Sequence, residues 1–216
     1  MNVDGRIEHG FRARFRALAR SAGREDPPGD ADHQVSEAIA AAVSEGLPPS
    51  RALADAWLRA LARAREGTEA RDGGDPPRFL CDPSLAGLAR WLRAAGYEAR
   101  LAPDVPGYRL PDEALRRGLV LLTTEAEVLD RRIVADGSLA VVWVPSTLTM
   151  AEQLHMAAVE LGLVLREPRC MACGGALVAR PKEDVRPRIP PRTALWKDEY
   201  FVCADCDRLF WRGTHW

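Results

Sequence analysis

The sequence predicts an α/β domain with a mostly parallel sheet, preceded by a helical extension and followed by a small metal-stapled module. Three observations predict it. Short apolar runs alternate with amphipathic helical stretches between residues 78 and 161, whereas residues 1–65 show helical periodicity alone. Two Cys-x-x-Cys pairs, Cys170/Cys173 and Cys203/Cys206, then lie near the end of the chain with 29 residues between them.

Residues 1–24 are basic: Ile7, Phe11, Phe15 and Leu18 recur at helical spacing among Arg6, Arg12, Arg14, Arg16 and Arg20. Such a helix packs its apolar stripe on the parent fold, with a membrane or RNA surface as the lesser reading. Residues 32–65 read as a helical hairpin. Val35, Ile39 and Val43 form one stripe, Gly46 stops it, Leu47–Ser50 turns, and Leu53, Trp57, Leu58 and Leu61 line the second helix. These helices carry no recognisable chemistry, which leaves a protein partner as a role for them. Residues 66–77, EGTEARDGGDPP, are polar and rich in Gly and Pro and mark a linker at a domain boundary.

Arg78–Cys81 then reads as a strand, Ser84–Ala95 as a helix burying Leu85, Leu88, Ala89 and Leu92, and Gly96 as its stop. Tyr97–Leu101 is a second strand, followed by a Pro- and Gly-rich loop and a helical turn near Asp112–Arg117. Leu119–Leu122 is apolar throughout, as a strand buried on both faces requires. A capping box, Thr124 with Glu127, opens the next helix, and Leu139–Val144 supplies the fourth strand. Thr149 and Glu152 form a second capping box for a last helix with Leu154, Ala157, Ala158 and Leu161 on its buried side. The expected domains are thus 1–65 (helical extension), 66–77 (linker), 78–165 (α/β) and 166–216 (metal module).

At 216 residues, 47% of them hydrophobic, the chain can bury a core of ordinary size. It contains no run of about 18 apolar residues, and MNVDGRIEHGFRARFR lacks the apolar segment of a secretory signal, so a soluble, non-membrane protein of the cytoplasm is expected. The fifth cysteine, Cys81 in RFLC, reads as a buried strand residue rather than a nucleophile.

Each Cys-x-x-Cys pair places two thiolates on one tight turn, and two such turns make the tetrahedral four-sulfur shell that zinc prefers. Residues 166–216 therefore read as a zinc ribbon holding Zn²⁺ through Cys170, Cys173, Cys203 and Cys206, with disulfides or free thiols as lesser readings. Gly174 and Gly175 suit a knuckle turn, and Glu199–Val202 and Arg208–Arg212 read as strands. Four Cys ligands leave no open position, so the zinc is structural.

Ligands of open parallel sheets bind outside the carboxyl ends of the strands. Asp82 follows the first strand and Glu125 the third, with Asp112 and Glu113 before it and Asp130 one helical turn beyond. Carboxylates converging there would suit Mg²⁺ or Mn²⁺, which activate water and neutralise phosphodiester charge. Each also has a plainer reading: Asp82 before Pro83 caps the next helix, and Asp130 pairs with Arg131. Residues 180–192 carry five basic side chains against two acidic ones and present either a phosphate contact or a solvated loop.

RFLCDPSLAGLARWLRAAGYEA, GLVLLTTE, RCMACGGALVARPKEDVRPRIPP and WKDEYFVCADCDRLFWRGTHW together resemble the PIN-like RNase domain with attached zinc ribbon first named from the C-terminus of the Mut-seven exonuclease. The resemblance spans residues 78–216. Its most specific points are Leu88-Ala89-Arg90-Trp91-Leu92-Arg93, Lys182-Glu183, Val185, Pro190-Pro191 and the closing Trp211-x-Gly213-Thr214-His215-Trp216. It implies a PIN-type fold and metal-dependent cleavage of RNA, with Asp82 as the first acid and Glu125 in the acidic place of the family's Leu-Thr-Arg-Asp motif. Glu125 stands where Asp is usual, Thr124 where Arg is common, and Gly87 where Lys often precedes Leu88. The middle acid is Asp112 or Glu113, because the helix before the third strand is shortened. Residues 1–77 do not resemble the ubiquitin-like extension of some members.

The resulting expectation is a metal-dependent ribonuclease in which Asp82, Asp112 and Glu125 hold Mg²⁺ or Mn²⁺ and Asp130 serves as a fourth acid. Arg90, Arg93, Arg186, Arg188 and Arg192 are candidate phosphate contacts, which position a strand without reading its sequence. Trp211, His215 and Trp216 either stack on bases or, more plainly, pack the ribbon against the α/β domain. The alternative is a non-catalytic RNA-binding or partner-binding module with a decayed acidic edge.

Overall fold

A computed structural model of the protein describes residues 5–21, 30–66 and 75–212. The apolar runs form β1 (Phe79–Cys81), β2 (Ala99–Leu101), β3 (Val120–Thr123) and β4 (Val141–Trp143), all parallel and hydrogen-bonded in the order β2-β1-β3-β4. Because side chains alternate along a strand, Phe79 and Cys81 face one layer while Leu80 faces the other. The first layer holds α4 (Ala86–Ala94) and α7 (Met150–Leu161), whose Leu88, Leu92 and Ala157 meet Phe79, Leu122 and Val142. The second holds α5 (Leu110–Arg117), whose Leu110 and Ala114 meet Leu80 and Leu121. Gly87 follows from this packing: a Cβ there would overlap the Met150 methyl of α7.

Helix ends follow the local chemistry. Thr149 and Glu152 complete the expected capping box of α7, and Gly118 and Gly162 close α5 and α7 in the left-handed conformation. The Thr124/Glu127 box does not form. In its place a 3₁₀ segment, Ala126–Asp130, precedes the one-turn α6 (Arg132–Ala135), because Thr124 Oγ1 turns to Ser84 Oγ at 3.2 Å and leaves the segment uncapped.

The helices α1 (Gly5–Ser21), α2 (Asp30–Glu45) and α3 (Pro49–Arg65) share a core with the sheet. Ile7, Phe11 and Phe15 of α1 are buried with Val35, Leu53, Trp57, Trp143 and Met156. Val43, expected on the buried stripe of α2, is exposed, and Ala42 is buried in its place. Arg14 is buried at 4% exposure: Nη1 donates to Glu160 Oε2 at 2.8 Å, Nη2 to the Trp143 carbonyl at 2.6 Å, and the guanidinium lies over the Trp57 and Trp143 rings. Burial pulls both partners toward neutrality, lowering the pKa of Arg14 and raising that of Glu160, and each charge opposes the other's shift.

The carboxy-terminal module adds an antiparallel sheet, β5 (Leu177–Arg180), β6 (Tyr200–Cys203) and β7 (Leu209–Trp211), with the short helices α8 (Lys182–Val185) and α9 (Pro191–Trp196). Its small core is Val185, Ile189, Tyr200 and Val202, joined by Ala194, Leu209 and Trp211. Trp211 therefore packs inside the ribbon rather than against the α/β layers. His215, Trp216 and residues 67–74 of the linker lie outside the described residues.

Candidate active site and metal centre

The strand order decides where the acids sit. In the order β2-β1-β3-β4 the chain reverses direction of growth between β1 and β3, and the crevice at the carboxyl end of such a switch point is where open parallel sheets bind ligands. Asp82 leaves β1 and Glu125 follows β3, one on each side of that point. The Asp82 amide donates to the Leu122 carbonyl at 2.9 Å, so the two strand ends are held in register.

Asp82 is buried. Its Oδ1 accepts from Ser84 N at 2.9 Å and Ser84 Oγ at 2.8 Å, so the capping role read from Pro83 is real. Its Oδ2 receives only a long contact, 3.4 Å, from Thr123 Oγ1 and keeps lone pairs for another ligand. One carboxylate thus caps the turn and still presents an acceptor at the sheet edge. Glu125 is exposed, and its amide donates to Thr123 Oγ1 at 3.1 Å. Its loop is fixed from behind by Trp143, whose indole Nε1 donates to the Thr124 carbonyl at 3.0 Å.

The other acids are engaged elsewhere. Glu113 is clamped by Arg116 and Arg117, which hold its carboxyl below the usual range, so of the two middle candidates Asp112 is the freer. Asp112 is 70% exposed and lies 3.7 Å from Arg131, which also donates to the Tyr108 carbonyl. Asp130 pairs with His9 Nε2 of α1 at 2.8 Å, not with Arg131 as its neighbourhood in sequence suggests. Among the described residues the four cysteines form a cluster of metal-ligand geometry, while the carboxylates are not gathered in threes at such distances. The acidic donors suit a hard cation held by one or two carboxylates and water, the usual mode for Mg²⁺, rather than a protein cage.

Sequence reasoning missed the part played by α1. A cleft at the carboxyl ends of β3 and β4 is lined by Thr124, Glu125, Glu127, Trp143, Ser146 and, from α1, Arg6. No sequence signal placed α1 there: the seat is Gly10, which lies on the Trp143 ring where a Cβ would come within 2.5 Å.

The ribbon cysteines fit zinc closely. Their Sγ atoms all lie within 4.8 Å of one another, with Cys173–Cys203 at 3.4 Å and Cys170–Cys206 at 3.6 Å. A tetrahedron with Zn–S of about 2.3 Å has S···S edges of about 3.8 Å. The two knuckles repeat one hydrogen-bond pattern: Gly174 N to Cys170 O at 2.7 Å and Cys170 N to Gly175 O at 2.9 Å, then Asp207 N to Cys203 O at 3.0 Å and Cys203 N to Arg208 O at 2.9 Å. Gly174 has φ 88°, and Asp207 takes the corresponding left-handed place at φ 56°, which Asp tolerates better than most side chains. Cys81, by contrast, is buried in β1, and burial pushes its thiol up to about 12.

Arg93 is a correction. It is buried, and it donates to Ala99 O at 2.7 Å, Met171 O at 3.1 Å and Ala172 O at 2.9 Å, tying α4 and β2 to the first knuckle. A guanidinium spent on three carbonyls is not a phosphate contact. Arg90, on the same helix, is exposed and has no charged partner among the described residues. Arg186 faces Glu183 at 3.7 Å and Arg188 faces Asp207 at 3.3 Å, whereas Arg192 has no such pair among the described residues.

A family model described as the Mut7-C RNAse domain matches residues 77–216, more than half of the chain. No curated protein and no solved structure matches it.

Proposed function

The chain belongs to the Mut7-C RNAse domain family, and from that membership we propose that it hydrolyses RNA phosphodiesters at the carboxyl edge of its parallel sheet. The observation that carries the reading is the placement of Asp82 and Glu125 on the two sides of the β1/β3 switch point. With Asp82 and Glu125 as direct ligands and Asp112 reaching it through water, Mg²⁺ or Mn²⁺ would supply an activated water and charge neutralisation at the phosphodiester. Asp82 offers Oδ2, its Oδ1 being held by Ser84. Glu125 is longer than Asp by one methylene, about 1 Å, and its exposure leaves room for that reach. Asp130, held by His9, adds negative potential as the fourth acid. Arg90 and Arg192, which have no carboxylate partner among the described residues, are the phosphate contacts.

The test is cleavage of a single-stranded RNA with Mn²⁺ or Mg²⁺ by the wild type beside Asp82→Asn and Glu125→Asp. Asn keeps an oxygen to cap Ser84 and loses the charge. Asp82→Asn is expected to lose turnover by about 100-fold or more, since ligation of this kind is worth several kcal/mol, and Glu125→Asp to retain or raise it. One observation favours a second reading, a non-catalytic RNA- or partner-binding module: the described carboxylates are not gathered at metal-ligand distances. If no variant cleaves RNA with either metal while remaining folded and zinc-loaded, that reading replaces the first.

A further inference from the structure

The ribbon exposes one of its tryptophans. Trp196 is 81% exposed and Leu195 75%, although Ala194 of the same helix joins the ribbon core. Leaving an indole in water forgoes about 2 kcal/mol or more of burial, so this one is kept outside for a partner or for no purpose of the fold. Charge around it indicates which partner. Of the five cations in residues 180–192, Lys182 is paired with Asp198, Arg186 with Glu183 and Arg188 with Asp207. Arg180 and Arg192 carry no carboxylate among the described residues. Arg192 lies one helical turn before Trp196 on α9, and residues four apart share a helix face. Arg180 stands opposite Tyr200 in the β5–β6 ladder, three residues after the Lys197 that ends α9.

We propose that α9 is a stacking platform for single-stranded RNA, with the Trp196 indole on an unpaired base and Arg192 on a neighbouring phosphate. An exposed ring beside an unpaired guanidinium supplies the two contacts that sequence-tolerant single-strand binding uses, a π-face and a cation. A purely apolar protein partner would gain nothing from Arg192, and an acidic one nothing from the ring. The platform rests on the reading that RNA is the substrate. None of its residues belongs to the acidic edge: the first knuckle of the ribbon is fastened at the carboxyl end of α4, where Arg169 N donates to Arg93 O at 2.9 Å, and Asp82 precedes the other end of that helix.

The experiment measures binding of a labelled, unstructured RNA to zinc-loaded full-length protein in the Asp82→Asn background, across a salt series. Trp196→Ala should weaken binding about 5- to 150-fold with the salt slope unchanged, as loss of one stacked base predicts. Trp196→Phe should recover most of it. Arg192→Ala should weaken binding and reduce the slope of log affinity against log salt by about 0.7, the share of one phosphate contact on a single strand. Equal binding by Trp196→Ala and wild type overturns the proposal, and so does a loss that Trp196→Phe does not rescue. If Trp196→Ala leaves RNA binding intact but abolishes self-association in sedimentation, the face is a protein interface and the proposal is likewise wrong. Cleavage is scored separately in the Asp82-intact protein. Catalysis without Trp196 dependence of binding removes the platform and spares the nuclease, and the converse spares the platform alone.

Discussion

Arg14→Ala tests whether the helical extension and the α/β layers are one cooperative unit. The substitution leaves Glu160 in place with its carboxylate 14% exposed and its partner at 2.8 Å removed. Breaking one side of a buried ion pair costs about 3–5 kcal/mol. The lost bond to the Trp143 carbonyl and the lost packing on two indoles add to this, while the residual exposure of Glu160 and entering water subtract, so about 3 kcal/mol is expected. For a chain of this size that lowers the melting temperature by roughly 6–12 °C. The pH dependence has a definite sign. Burial already raises the Glu160 pKa against the pull of Arg14, and removing Arg14 raises it further above the unfolded value. Between those two values the variant's native state binds more protons than its unfolded state, so its stability increases as pH falls. The deficit against wild type should therefore be largest above the variant's raised Glu160 pKa and narrow as pH falls through it. Glu160→Leu in the Arg14→Ala background should recover part of it by removing the unpaired charge. Urea melts of zinc-loaded protein followed by tryptophan fluorescence and far-UV circular dichroism measure both. A deficit below about 1 kcal/mol, or a separate early transition of the helices already present in the wild type, would refute the shared core.

Gly10→Ala should cost about 1–3 kcal/mol in the same melts, because its Cβ meets the Trp143 ring at 2.5 Å, and it should also loosen the Thr124–Glu125 loop that the Trp143 indole holds. Reduced, unchelated protein should carry one zinc per chain by elemental analysis, and Cys206→Ser should lose the metal and the ribbon fold together; a folded ribbon with substoichiometric zinc would count against the site. Arg93→Ala should free the first knuckle, seen as faster amide exchange around Met171 and Ala172, with no change in the salt slope of RNA binding. A reduced slope would return Arg93 to the phosphate contacts.

Much of this architecture was legible in the residues because it depends on interactions local in sequence. Alternating apolar runs announced the four strands, Thr149 with Glu152 announced the start of α7, and the paired Cys-x-x-Cys turns announced the four-sulfur cluster, since a knuckle is built from six consecutive residues. Boundaries shifted by one residue at β1 and β3 and by up to two at β2 and β4, and the Thr124 box failed where Ser84, 40 positions away, competed for the hydroxyl. Strand β5 was not foreseen. Its LVAR has an exposed pattern and is a strand only because β6 offers it a ladder.

The candidate site divides along the same line. Chain order alone identified Asp82 and Glu125 as residues following strands. Which strand lies beside which is a long-range choice, and only the order β2-β1-β3-β4 brought the two to one switch point. Tertiary packing likewise decided which charges are available. It buried Arg93 under three carbonyls, gave Asp130 to a histidine 121 positions away, paired Arg188 with Asp207 and left Arg192 and Trp196 bare. By itself, then, the sequence determined the four parallel strands, the family and the four clustered thiols, because short-range geometry and residue chemistry suffice for those. The seating of α1 against Trp143 and the distant partners of Arg14, Arg93, Asp130 and Arg188 were decided only by the folded chain, because burial and long-range pairing depend on neighbours that the linear order does not name.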